Sequence, residues 1–118
     1  MGLLDAIGEI IKAAGKAAGG TVPLKEAARS APSGMGCYKI YWHGLKYVGK
    51  AEDGIRKRFV QYYNGTTAHY PSAIKIYEHR DEITVSWLVL NSPQECRKTE
   101  KEWIERYDPE WNERSGWN

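Results

Sequence analysis

The chain has 118 residues and a hydrophobic share of 42%, enough for one core without staples and too few for two domains. Its 17 Lys and Arg against 15 Asp and Glu leave a formal charge of +2, too small to argue for a nucleic-acid partner through bulk charge. Cys37 and Cys96 form neither a Cys-x-x-Cys pair nor a metal-finger spacing, so both are expected as buried free thiols in a reducing, cytoplasmic setting. No apolar run approaches the roughly 20 residues that span a bilayer, and no secretory pattern opens the chain.

In chain order, Leu3, Leu4, Ile7, Ile10, Ile11, Ala14 and Ala18 recur at helical spacing and predict an amphipathic helix, weakened and ended by Gly15, Gly19 and Gly20. Residues 21–35 carry Pro23, Pro32, Ser33 and Gly34 and read as a connector, with a short helix near Leu24–Arg29. The organisation expected is therefore a helix and connector over 1–35 and one domain over 36–118. Cys37–Trp42 and Lys46–Gly49 read as two strands around a tight turn at His43-Gly44. Gly54 precedes a helix predicted from Ile55 to about Tyr63, with Ile55, Phe59 and Tyr62 or Tyr63 inward. Asn64–Pro71 reads as a loop and Ser72–His79 as a short helix. Ile83, Val85, Trp87 and Val89 alternate within Glu82–Leu90, the strongest strand signal in the chain.

The last helix announces its start. Ser92 is a cap candidate, Pro93 suits the first helical position and Glu95 completes a Ser-x-x-Glu box. Pro109 ends it near Tyr107. The resulting order, two strands, two helices, a strand and a helix, describes a small α+β domain with a mainly antiparallel three-stranded sheet.

Charge and polarity then single out particular residues. Residues 36–63 hold Lys39, Lys46, Lys50, Arg56, Lys57 and Arg58 against Glu52 and Asp53, a locally basic stretch suited to a phosphate-facing surface. Cys96, Trp103, Ile104 and Tyr107 make an apolar stripe on the last helix, and Glu100 falls inside it. A carboxylate there must be ion-paired, protonated or metal-bound. A magnesium site, which uses one or two carboxylates and several waters, is the functional alternative to a salt bridge. Arg58 and Tyr62, four residues apart, share a helix face. With Lys50 they could hold a phosphodiester, Arg58 as a bidentate fork and Lys50 as a point charge.

Gly36-Cys37-Tyr38 followed by Tyr47-Val48-Gly49 resembles the paired motifs of the GIY-YIG nucleases. Lys50-Ala51, Ile55-Arg56-Lys57-Arg58-Phe59 and the run from Glu100 to Trp111-Asn112 extend the likeness over about Gly36 to Asn112, above all to the nuclease modules of bacterial excision-repair incision enzymes. Cys37 stands for an aliphatic residue and Val48 for isoleucine. Gly54 looks like a one-residue insertion, which leaves Arg56 as an alternative to Arg58 for the arginine role; the Lys-Arg-Phe pattern favours Arg58.

The resemblance implies a three-stranded antiparallel sheet flanked by helices and a metal-dependent endonuclease acting on DNA, with RNA not excluded. Tyr38 and Tyr47 would flank the scissile phosphate, one of them aligning or deprotonating the water, with their pKa lowered by Lys50, Arg58 and a metal. Arg58 would stabilise phosphoryl charge, Glu100 would hold Mg2+ or Mn2+, Lys50 and Tyr62 would bind the phosphate, and Asn112 would brace the site. Three settings follow: a repair or recombination nuclease of low sequence specificity, the toxic tip of a secreted bacterial effector with an immunity or targeting partner, and a noncatalytic nucleic-acid-binding module. The first two are enzymes; the third has no use for Glu100.

Overall fold

The structure, a computed structural model, describes residues 20–112. The amphipathic helix expected over residues 3–18 lies outside them. In chain order the elements are β1 (Val22–Pro23), α1 (Leu24–Ser30), β2 (Gly36–Tyr41), β3 (Leu45–Ala51), α2 (Ile55–Asn64), α3 (Pro71–Glu78), β4 (Thr84–Val89) and α4 (Pro93–Tyr107). The sheet has four strands in the order β1-β4-β2-β3, each neighbour antiparallel. The expected three-stranded sheet is thus present, with Val22–Pro23 added beside Thr84 and Val85 at one edge.

The extra strand comes from the segment expected to be a connector. Leu24, Ala27 and Ala31 have no solvent exposure and belong to the same core cluster as Tyr38, Phe59 and Val85. Leu24 N–H donates to Ile83 C=O at 3.0 Å and so anchors the start of α1 to the sheet. The short helix expected near Leu24–Arg29 is α1, whereas a two-residue strand has no period to detect. Tertiary burial holds both.

The β2–β3 hairpin sets the geometry of everything near it. Its turn bears positive φ at His43 (56°) and Gly44 (104°), and Trp42 N–H donates to Gly44 C=O at 2.8 Å. Tyr38 pairs with Gly49 and with Trp87, and Ile40 with Tyr47 and with Val85. Paired residues share a face, so Tyr38, Ile40, Tyr47, Gly49, Val85 and Trp87 line one side of the sheet. α2 covers that side: the Phe59 ring meets Tyr38 edge-on at 5.5 Å and Trp87 at 5.8 Å between centroids. Cys37, Lys39, Val48 and Lys50 face the opposite side, where α4 lies and the Cys37 thiol donates to Cys96 C=O at 3.1 Å. Burial raises the Cys37 pKa to about 12, so this thiol behaves as a core residue rather than a nucleophile.

α4 begins as its capping box requires. Ser92 Oγ accepts from Glu95 N–H at 3.1 Å, while the Glu95 carboxylate reaches back to Asn91 N–H at 2.8 Å, one residue before the cap. The helix ends at Asp108, in the left-handed region at φ 44°, before Pro109. Among the described residues no helix is long and apolar enough to cross a membrane.

If α1 is integral to the core, Leu24→Ala should cost about 2–5 kcal/mol. Urea denaturation measures this; a loss below about 0.5 kcal/mol, the range of surface substitutions, would make α1 peripheral.

Candidate active site

Two glycines explain how the tyrosines of the hairpin are placed. A Cβ on Gly49 would lie 2.5 Å from Tyr38 Oη and 2.9 Å from Tyr47 Cε2, so only glycine leaves room for both rings. A Cβ on Gly36 would collide with the Leu88 carbonyl oxygen, where β2 meets β4. The Tyr38 and Tyr47 rings consequently sit 6.2 Å apart, tilted by 38°. α2 contributes the third phenol: Tyr62 Oη lies 2.5 Å from Tyr38 Oη.

These groups border a cavity of about 630 Å³ lined by Tyr47, Arg58, Tyr62, Glu100 and Asn112, with Gln61, Thr67, Tyr70, Pro71, Ser72, Ala73 and Ile104 completing its wall. Five of the seven sequence-predicted site residues therefore meet on one concavity. Tyr38 and Lys50 stand behind its wall. Tyr38 is fully buried, its hydroxyl turned to Tyr62. Lys50 is three residues after Tyr47, so strand parity puts it on the other side of β3, 3.4 Å from Glu52. Its charge still reaches Glu100, because β3 is the edge of the sheet.

Arg58, one helical turn before Tyr62, donates through Nη1 to Lys50 C=O at 3.2 Å and lies 3.6 Å from the Asp53 carboxylate. Arg56 is directed elsewhere, donating to Ala31 C=O at 2.6 Å. The insertion at Gly54 leaves Arg58 in the cavity wall and Arg56 outside it. Arg58 Nε and Thr67 Oγ1, both on lining residues, are buried without a hydrogen-bond partner. Unpaired polar atoms of this kind call for a ligand or water.

Glu100 is half-buried in the wall. Among the described residues its carboxylate makes no ion pair and no side-chain hydrogen bond. Burial raises its pKa above the ordinary value, partly offset by Lys50 and Arg58. Among the described residues the salt-bridge alternative is not formed, and a lone carboxylate facing a water-accessible cavity fits a magnesium-type site completed by water. Among the described residues no cluster of three or more His, Cys, Asp or Glu side chains is placed to chelate an ion by itself.

Of the influences expected to lower the phenol pKa, Arg58 acts on Tyr38, Tyr47 and Tyr62 without outweighing their burial. Burial raises the pKa of Tyr38, followed by the neighbouring Tyr47; Arg58 and Tyr62 oppose this without reversing it. Burial and then the Glu100 charge raise Tyr47, against hydrogen bonds to Tyr62 and Ser72. All three phenols, Tyr62 included, are protonated at neutral pH in the metal-free protein.

Asn112 joins the chain's last described residue to β3. Its side chain accepts from Val48 N–H and donates to Val48 C=O, both at 2.9 Å, while Trp111 N–H donates to Lys46 C=O at 2.8 Å. The side chain thus imitates a neighbouring strand along the sheet edge that carries Tyr47. Tyr107, grouped with the apolar stripe, is 40% exposed and packs its ring over Lys39 Nζ at 4.7 Å. Sequence reasoning missed the Tyr70-Pro71-Ser72 wall, whose one signal is a proline opening a helix.

No family model matches the chain. UvrABC system protein C of Corynebacterium glutamicum, in two strains, is 30% identical over 90 residues, or 75% of this chain. The chain spans 12% of the length of these relatives. A tyrosine-to-phenylalanine form of the GIY-YIG N-terminal endonuclease domain of UvrC from Thermotoga maritima, bound to its catalytic divalent cation, has a TM-score of 0.63 at 24% identity, covering 77% of this chain and 96% of that one. An asparagine-to-alanine form of that domain gives 0.62 at 25%, with the same coverage, and a magnesium-bound form 0.62 at 24% over 76% of this chain and 96% of that one.

The raised Glu100 pKa has a sign that can be checked. A carboxyl whose folded pKa exceeds its unfolded one destabilises the fold at higher pH, and the penalty disappears as pH falls through the folded value. Glu100→Gln should therefore raise the Tm of the metal-free protein at neutral pH and leave it unchanged in acid. Thermal melts across pH test this; equal melting temperatures throughout would show that the carboxylate carries no penalty.

Proposed function

We propose that the chain, which shares the fold of GIY-YIG endonuclease domains, hydrolyses phosphodiester bonds of DNA with a divalent metal, as an incision-type nuclease of low intrinsic sequence specificity. The observation that carries this reading is the convergence of Tyr47, Arg58, Tyr62 and an unpaired Glu100 on one cavity. The unpartnered Arg58 Nε and Thr67 Oγ1 on the same wall supply donors for a phosphate.

In this reading the guanidinium of Arg58, held in place by Lys50 C=O, stabilises negative charge that grows on the non-bridging oxygens. The Tyr47 hydroxyl, on the cavity surface beside Tyr62 and Ser72, orients the attacking water. Because it is protonated at rest, it begins as a hydrogen-bonding group rather than a phenolate. Tyr38 acts through Tyr62, fixing that hydroxyl from behind. Asn112 keeps the β3 edge, and with it Tyr47, in register. Glu100 would hold Mg2+ or Mn2+, which supplies Lewis-acid stabilisation of the leaving oxygen.

Repair-type incision in a cytoplasmic setting is the reading favoured by the motif resemblance to excision-repair incision enzymes. An effector-tip role with an immunity partner rests on the layout of residues 1–35, of which 1–19 lie outside the described residues.

Supercoiled plasmid incubated with the purified chain tests the proposal. Nicking or linearisation should require Mg2+ or Mn2+ and vanish with chelator and in Glu100→Ala; cleavage at an undiminished rate in Glu100→Ala would overturn the assignment. Arg58→Ala should lower the rate about 10²–10³-fold. Tyr47→Phe should lose more rate than Tyr38→Phe while DNA binding persists in both. RNA and branched DNA run beside the plasmid separate the substrate classes.

A further inference from the structure

Arg56 and Lys57 are left without a task by the site just described, yet they line a second cavity. It measures about 570 Å³ and is walled by Ser33, Asp53, Arg56, Lys57, Gln61 and Thr66, together with Val60. Gln61 lines both cavities. On α2 it lies four residues after Lys57 and three after Arg58, so its side chain borders both of theirs. The two cavities therefore meet at one residue of α2, Gln61, with Tyr47 and Glu100 on one and Arg56 and Lys57 on the other. We propose that the second cavity binds phosphates of the nucleic-acid strand that flank the scissile one, with Arg56 and Lys57 as the contacts. The inference rests on the nuclease reading above.

The local chemistry favours a polyanion. Arg56 has no carboxylate partner among the described residues, and its bond to Ala31 C=O fixes the guanidinium through Nε alone. Lys57 pairs with Asp53 at 3.3 Å, and both side chains are more than half exposed. Such a pair is weak in water and readily exchanged. Asp53 also lies 3.6 Å from Arg58, so one carboxylate touches a cation of each cavity. It stands where an incoming strand would place negative charge, and a phosphate can take over its contact to Lys57. Two amides at the start of α2 are already engaged: Ile55 N–H donates to Gly34 C=O at 2.9 Å and Arg56 N–H to Pro32 C=O at 3.0 Å. The cationic side chains supply the attraction for phosphate.

The experiment measures binding without cleavage: fluorescence anisotropy of a labelled DNA duplex, in chelator, over a salt series. Lys57→Gln should raise Kd and reduce the slope of log K against log salt by about 0.7–0.9, the value of one phosphate contact. The pair Arg56→Gln with Lys57→Gln should reduce the slope about twice as much. Asp53→Asn, which frees Lys57, should lower Kd. Lys57 is exposed and makes no buried contact, so the single variant decides even if the double variant fails to fold. Folded variants with wild-type Kd and slope would overturn this second site while leaving the nuclease site standing. Absence of DNA binding by the wild-type chain would overturn both.

Discussion

At the middle of this domain a phenol occupies the space that a methyl group would need. With Gly49 opposite Tyr38 in the β2–β3 ladder, the missing Cβ lets the Tyr38 ring lie across the strand, 6.2 Å from Tyr47 and within hydrogen-bond reach of Tyr62. Strand register makes this arrangement strict. A slip of one residue would send Tyr38 and Tyr47 to the α4 side and bring Cys37 and Val48 under Phe59. The cavity, the placement of Arg58 against β3 and the stacking of Phe59 on Tyr38 all presuppose that register.

Close packing also sets the electrostatics. Each phenol gains an aromatic neighbour and loses water, and burial outweighs nearby positive charge, so the tyrosines stay protonated. Glu100 is only half-buried, yet it too is driven toward its neutral form. Holding Glu100 there as a carboxylate is destabilising at neutral pH. Polar groups without partners at a cavity wall are where a stable fold gives up free energy for function.

The open edge of β3 is closed by other means. In a sheet ordered β1-β4-β2-β3, that strand has one free side, and it bears Tyr47. Asn112 and Trp111 cover it by imitating strand hydrogen bonds, which blunts an edge otherwise available for pairing with another chain. Being an edge also lets Glu100 act on both faces: its charge is felt by Tyr47 on one and by Cys37 on the other.

What the sequence by itself determined was local: the hairpin, α2, β4 and the capped start of α4, because alternation, helical spacing, a Ser-x-x-Glu box and Pro109 act over a few residues. Glu100 was legible as anomalous, since a carboxylate in an apolar stripe needs a reason. That Lys50 lies across the strand from Tyr47 was legible too, in the parity of three residues, although the motif drew attention to adjacency instead. Tertiary structure alone decided the rest. It tucked Leu24 and Ala27 into the core, sent Arg56 to Ala31 and Arg58 to the cavity, exposed Tyr107, and set burial above charge in the phenols. Each of these depends on which groups approach from distant parts of the chain and how much water they displace, and a linear pattern holds no measure of either.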